Sequence, residues 1–458
     1  MDLVDLIVTP FYILVICFIA YGYQSNNRSN FLVSNYFLSA YFLRIAGGMA
    51  FAFVYAFYYG GGDTLNYHSD SVIISNAMRS DPINGFELLF TNPDIKDAST
   101  YKYVSKMVFK TDPASHIISA LAAFFNIFTF DSFLATTIFF SLIGFWGNWQ
   151  LFKTLCQLFP YLHKQLAIGC LYLPSILFWT SGLMKDTLCT MAICYLFSTI
   201  VKVFVFQNRS IGNYVVIICS TWILFTLKIY ILLCFIPTIS IYIFSIINSR
   251  IKNPVNRKIM KPFFYVLALF FAYFAFDAIS ENNKKYSLDS LEKTAKITAE
   301  YIGKVSIQTG GSFYSLGDLD FSPSSIPLLT LKAFNVTFYR PYIWEVSSPL
   351  MVFSVIESMY FMYLSYLLLI HFKNHSKGPK KILTPFTSFC FLFAISFSFV
   401  VGVTSNNFGA LARYKSLMLP FFVCGVYVTI RPNKTDKETL SKGQLYAPFL
   451  KERNMFDI

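Results

Sequence analysis

Apolar runs about as long as a bilayer core is thick recur from one end of the chain to the other, separated by short polar or basic connections. A helix of about 20 apolar residues crosses a hydrocarbon core, because it satisfies its own backbone there. The first run is 3–21, followed by a polar linker at 24–30. The second, 31–59, would be roughly 43 Å long as a helix, so its first part is expected to lie at the interface or to tilt. Further spans are predicted at 132–152, 166–183, 187–204, 211–226, 230–247, 262–276, 349–370, 383–403 and 416–430. The pattern describes an all-α polytopic integral membrane protein, a single membrane domain over 1–458 with about eleven transmembrane helices.

Two long polar stretches interrupt the spans, at 60–131 and 276–348. In the first, 71–90 reads as an amphipathic helix on the membrane surface and 113–130 as a segment that re-enters the bilayer. In the second, 288–302 has apolar residues at helical spacing with charges between them and reads as another surface helix. Gly310-Gly311 and the Ser/Pro-rich stretch 322–327 break the rest of that segment into loop. No internal repeat is visible, which weighs against an inverted-repeat transporter.

Composition agrees with this reading. The chain is 55% hydrophobic and 13% charged, against about 25% charged for a soluble domain. Aromatics make up 19%, as expected for lipid-facing bulk and interfacial belts. The net charge of +13 comes without a basic helix, zinc spacing or RNA-binding signature, so nucleic acid is not a partner. The bases lie in short connections instead: Arg250, Lys252, Arg257, Lys258 and Lys261; Lys373, Lys377, Lys380 and Lys381; Arg431, Lys434 and Lys437. Alternation puts them on one side with Arg28, Lys153, Lys164, Lys202 and Arg209, and the positive-inside rule makes that side cytoplasmic, tail 431–458 included. Of the nine cysteines, all but Cys156 fall in predicted spans, with Cys156 expected in an inner loop. That argues against a disulfide framework or a cysteine metal site. The first run lacks a basic flank and a small-residue cleavage site, so it reads as a retained span. Arg44, inside the second run, either snorkels toward the inner face, the favoured reading, or pairs within the bundle.

The opposite face receives five polar clusters, and ionisable groups at the edge of hydrocarbon are expensive enough to need a reason. Asp63 follows Gly60-Gly61-Gly62 and precedes Tyr67 and His68. Its carboxylate could take a proton from an acceptor hydroxyl with His68 as relay, or it could simply cap the next helix. Phe178-Trp179-Thr-Ser181-Gly182-Leu-Met-Lys185-Asp186 sets a lysine and an aspartate side by side between two spans. Lys185 could neutralise a phosphate while Asp186 orients it or binds the acceptor; a structural ion pair beside an interfacial Trp179 is the other reading. Lys228, between two apolar runs, is either a phosphate contact or an ordinary loop lysine.

Arg340-Pro-Tyr-Ile-Trp344-Glu345 offers a guanidinium suited to two-point grip on phosphate. Alternatively, Arg340 and Glu345 pair and Trp344 marks the interface. Glu357, further into the following span, must face the bundle interior if charged. Asn406-Asn407-Phe408-Gly409-Ala-Leu-Ala-Arg413-Tyr414-Lys415 places positive charge on the outer side, against the general tendency. An anionic ligand such as a pyrophosphate at headgroup level would account for it, as would an anionic lipid. Tyr67, Trp179, Trp344, Glu345 and Asn407 are candidates for positioning an acceptor. The Asp63 loop has no Asp-x-Asp, and Asp318-Leu-Asp320 lies in a loop, so neither a divalent metal nor another cofactor is implied.

The Gly-Asp-x-x-x-Tyr first loop, Phe-Trp-x-Ser-Gly-x-x-Lys-Asp, Arg-Pro-x-x-Trp-Glu and the late Arg-Tyr-Lys resemble bacterial envelope-polysaccharide proteins. These are the multi-spanning glycosyltransferases of the GT-C kind and the Wzy-type or EpsG-like repeat-unit polymerases. The likeness covers most of the chain in architecture. It implies a multi-pass protein of the bacterial inner membrane that takes a sugar or glycan from a polyprenyl-phosphate or polyprenyl-diphosphate carrier, with membrane lipid and other polysaccharide-assembly proteins as further partners. By this resemblance Asp63 matches the acidic residue of the first loop, and Arg340 and Arg413 match the grip on lipid phosphate. One departure is that the acidic loop follows the second span here, where GT-C enzymes place it after the first. A flippase or transporter of a lipid-linked glycan or another anion, and a noncatalytic membrane subunit, are the competing readings.

Overall fold

The computed structural model describes residues 3–253, 288–374 and 383–431, apart from 93, 95, 310, 311 and 318, together with isolated positions between 255 and 266. Among the described residues the chain is helical with no strand, the one extended pairing being an isolated bridge between Phe313 and Asn407. Among the described residues, six helices are long and apolar enough to cross a membrane, or up to eight spans if each of two bent pairs counts as one.

In chain order the helices begin with α1 (Leu3–Asn26) and α2 (Val33–Tyr59), the latter carrying π-helical turns at both ends. Gly60 (φ 63°) and Gly62 (φ 115°) stop α2 with left-handed backbone, which a residue without Cβ adopts at least cost. The chain then enters α3 (Asp63–Ser80), α4 (Pro82–Phe90) and the short α5 (Tyr101–Val104). Tyr67, Asp70, Ser71, Ile74 and Ala77 form the buried stripe of α3, at the three-and-four spacing of a helix packed on one side. Asp70 holds the loop at 108–109 by accepting the backbone N–H groups of Val108 at 2.7 Å and Phe109 at 3.0 Å.

Asp112 caps α6 (Pro113–Thr129) by accepting the Ala114 N–H at 3.1 Å, with Pro113 in the first turn where its missing N–H costs nothing. α6 is bent by 120° from α7 (Phe133–Leu158), a re-entrant or broken arrangement. α8 (His163–Ala167) and α9 (Pro174–Trp179) are short, and α10 (Lys185–Phe204) comes after non-helical residues 180–184. α7 and α10 form the centre of the bundle. A Cβ on Gly147 would lie 2.5 Å from the Met191 Cα, so only glycine lets the two backbones approach this closely. α10 is 78% buried over its apolar stretch and α1 only 22%, which places α10 inside the bundle and α1 at its edge.

α11 (Ile211–Ser249) has non-helical backbone at Lys228 (φ −151°, ψ 79°), so it is two helical halves meeting at that lysine. The remaining helices are α12 (Leu288–Thr309), α13 (Ile326–Tyr339), α14 (Pro349–Asn374), α15 (Pro385–Ser405), α16 (Phe408–Lys415) and α17 (Leu419–Ile430), the last two bent by 63°.

Several sequence expectations change. The predicted span 166–183 is broken at Leu173-Pro174 and again after Trp179, because proline and the Ser181-Gly182 pair interrupt an otherwise apolar run. The predicted span 416–430 is the second arm of a bent pair. The surface helix expected at 71–90 starts earlier, at Asp63, and is two helices. Cys156 is buried within α7 and not in a loop. Arg44 is 2% exposed and hydrogen-bonded inside the bundle, so it does not snorkel. The predicted span 262–276 lies outside the continuously described residues, and Asp318, the bases at 377, 380 and 381, and the tail beyond 431 lie outside the described residues as well.

Candidate functional site: a charged cluster at the ends of the helices

The cluster is built around Asp186, in the first turn of α10, where a helix dipole favours negative charge. Its side chain is fully buried and lies between two cations. Lys228, released from helical geometry at the α11 break, donates to Oδ1 at 2.5 Å. Arg413, near the end of α16, donates through Nε to Oδ2 at 2.6 Å. The same guanidinium reaches Asp63 through Nη1, 3.2 Å from Oδ2. Among the described residues, Arg413 Nη2 makes no hydrogen bond. The Tyr414 ring closes one side, 4.3 Å from Lys228 Nζ and 5.5 Å from the Arg413 guanidinium carbon.

Lys185, next to Asp186, points elsewhere: its Nζ lies 2.9 Å from Oδ2 of Asp112. Burial alone would raise the Asp112 carboxyl, but hydrogen bonds from Ser115, Lys185 and the Ala114 N–H, with the lysine charge, hold it below the usual carboxylate range. Asp112 was not singled out in the sequence. Its signal was an Asp-Pro step opening an apolar run, which reads as a helix cap and nothing more. Three cations, Lys185, Lys228 and Arg413, are thus matched by three carboxylates, Asp63, Asp112 and Asp186. Asp63 and Asp112 are the open members, each 47% exposed in its side chain.

The other sequence candidates take separate places. Tyr67 is buried against Phe109, with ring centroids 4.9 Å apart; burial first, then the Asp63 charge, raises its phenol. The His68 ring packs on Phe133 at 5.2 Å. Trp179 meets Phe178 edge to face at 4.9 Å and lines an apolar cleft of about 330 Å³ with Ala50, Val54 and Phe353. Asn407 caps α16, its Oδ1 accepting the Gly409 N–H at 2.8 Å and the Ala410 N–H at 3.2 Å.

Arg340 forms a two-point pair with Glu345, with Nε 2.9 Å from Oε1, and sits over the Phe408 ring at 5.2 Å. Burial raises the Glu345 carboxyl, but Arg340 and the Tyr342 N–H outweigh it and hold the group low. Trp344 is 80% exposed and stacks on Tyr342 at 4.9 Å. Lys415, 1% exposed, donates to the Thr337 carbonyl at 3.1 Å. Among the described residues, no group of three His, Cys, Asp or Glu side chains could hold a metal ion.

Chemically, the cluster offers a half-open carboxylate, Asp63, beside a guanidinium with a hydrogen-bonding edge to spare, backed by a buried charge network that holds Lys228 and Arg413 in place. Such a site can stabilise negative charge and accept a proton a short distance away. Compared with protein-family models, with curated proteins and with solved structures, the chain matches none.

Proposed function

We propose that the chain is a bacterial inner-membrane glycosyltransferase or repeat-unit polymerase that moves a sugar or glycan from a polyprenyl-(di)phosphate carrier to an acceptor hydroxyl during cell-surface polysaccharide assembly. In this reading about eleven spans place 60–131 and 276–348 outside and the C-terminus in the cytoplasm. The acceptor oxygen bonds to the donor's anomeric carbon, the bond from that carbon to the phosphate oxygen breaks, and the carrier leaves with the negative charge. Arg413 meets that charge, and Asp63 takes the hydroxyl proton. Asp186, fully buried between two cations, has the geometry of a holder of Lys228 and Arg413 more than of a base.

The observation that carries the reading is the junction of Asp63, Arg413, Asp186 and Lys228, drawn from four separate parts of the chain. It is tested by the lipid-linked glycans of cells lacking the protein, complemented with wild type, Asp63→Asn or Arg413→Ala. Full repeat units on the carrier without long chains would mark a polymerase, and a unit short by one sugar a transferase. Full polymer output from both variants at normal protein level would overturn the assignment.

A carrier that moves a lipid-linked glycan across the membrane is the second reading. The broken helix of α8, α9 and residues 180–184 favours it, since discontinuous helices recur at transporter binding sites. It differs in leaving the glycosidic bond intact.

A further inference from the structure

Helix α9 is six residues long, yet buried charges from other helices hold both of its ends. At its start, Glu357 of α14 accepts the Ser175 N–H at 3.1 Å and the Ser175 hydroxyl as well. At its end, Arg44 of α2 donates through Nη1 to the Ile176 carbonyl at 2.9 Å. Its Nη2 donates to the Thr180 carbonyl and, at 2.8 Å, to the Thr180 hydroxyl oxygen. The signs are those a helix dipole favours, negative at the first turn and positive at the last. Both side chains are 2% exposed, and a buried charge is tolerable only where it is met by such groups.

The grip continues past α9 into the non-helical residues. The Ser181 carbonyl accepts the Ser141 hydroxyl at 2.6 Å, and the Gly182 carbonyl accepts the Thr187 hydroxyl at 2.6 Å. Irregular backbone inside a membrane bundle survives where protein donors satisfy it in this way. Space for the guanidinium is built in as well: a Cβ on Gly144 would lie 2.2 Å from Arg44 Nη2 and 2.7 Å from the Thr180 carbonyl oxygen. The first helical residues after this held segment are Lys185 and Asp186. Glu357's neighbour Ser358 donates to the Arg340 carbonyl at 3.0 Å, so the same stretch of α14 also anchors the Arg340 segment.

We propose that Arg44 and Glu357 are positioning residues: together they clamp α9 and residues 180–184, and so set where Lys185 and Asp186 stand against Lys228 and Arg413. Their importance for activity rests on the charged cluster being the working site, whereas the clamp itself can be measured without that reading.

The test uses Ser181→Cys in the full chain, with Cys17 and Cys219, the cysteines that are not buried, replaced by serine. Ser181 is fully buried, so an intact clamp keeps the new thiol from a membrane-impermeant maleimide. Arg44→Met and Glu357→Leu should raise its labelling rate roughly tenfold or more, because each leaves buried backbone groups unmet. Glu357→Gln, which keeps an oxygen for the Ser175 N–H, should return the rate toward wild type. Where Arg44→Met or Glu357→Leu yields no monodisperse protein, Arg44→Lys carries the test, since it keeps the charge and loses the two-point grip. Wild-type labelling in monodisperse variants would overturn the clamp.

Polymer output from the same cells separates the two claims. Faster labelling with full output, in a system where Asp63→Asn abolishes output, would overturn the positioning role alone. Full output from Asp63→Asn and Arg413→Ala would overturn the functional reading and leave the labelling result standing.

Discussion

Arg413 and Asp186 are 227 residues apart in sequence and 2.6 Å apart in space, Nε to Oδ2, with the aspartate fully buried. The contact ties the end of α16 to the start of α10, and through Asp186 it fixes Lys228 as well. A buried carboxylate shared by two cations is stable only as a set, so the cost of removing one member is set by what the others then face.

Asp186→Asn should therefore be severe. It leaves Lys228 and Arg413 close together without their buried anion, a loss of about 3–5 kcal/mol. Adding Lys228→Met to it should recover part of the loss, which a double-mutant comparison of melting temperatures in detergent would show. Independent, additive effects would contradict the coupling.

Asp112→Asn should be mild at neutral pH. The Asp112 side chain is 47% exposed, so its pair with Lys185 is screened and worth about 1 kcal/mol at most, and asparagine can still cap α6. The folded carboxyl lies below its ordinary range through burial outweighed by Ser115, Lys185 and backbone hydrogen bonds. A depressed carboxyl stabilises fully above its unfolded value, and the contribution is lost as pH falls through the folded one. Melting curves of wild type and Asp112→Asn should converge as the solution is acidified through that window.

How much of this was legible beforehand differs from residue to residue. Asp63, Asp186, Lys228 and Arg413 stand out in sequence as charges at the ends of apolar runs, and all four meet in the structure. Their pairing was not legible, because helix packing and not spacing along the chain brings α3, α10, α11 and α16 together. An ion pair between Lys185 and Asp186 was the alternative to a phosphate contact, and Lys185 pairs with Asp112 instead; adjacent residues on a helix point in different directions. Arg44 was visible as a charge in an apolar run, but its acceptors arise where the run 166–183 breaks. Hydropathy reads that stretch as continuous; only Pro174 and Gly182 hinted otherwise.

Gly144→Ala should destabilise although it changes no polar group. Its methyl would collide with Arg44 Nη2, 2.2 Å away, and with the Thr180 carbonyl oxygen. Overpacking of this kind costs about 1–3 kcal/mol, and the same substitution should speed labelling of Ser181→Cys. An unchanged melting temperature would show that α7 and α9 have room to spare.

Trp344→Ala should leave the fold intact. The indole is 80% exposed and, among the described residues, stacks on Tyr342, so thermal stability should stay within about 0.5 kcal/mol of wild type. Arg340→Ala should cost more, since it strips Glu345 of its three guanidinium hydrogen bonds and Phe408 of its cation. Equal melting temperatures for the two variants would contradict this ordering.

The central claim, that the Asp63–Arg413–Asp186 junction transfers a glycan from a lipid phosphate, is tested most directly with purified protein in vesicles supplied with a polyprenyl-diphosphate-linked glycan and acceptor. Wild type should release the carrier and lengthen the acceptor, while folded Asp63→Asn and Arg413→Ala protein should do neither. Wild-type protein that carries the intact lipid-linked glycan across the bilayer without breaking its glycosidic bond would contradict the claim.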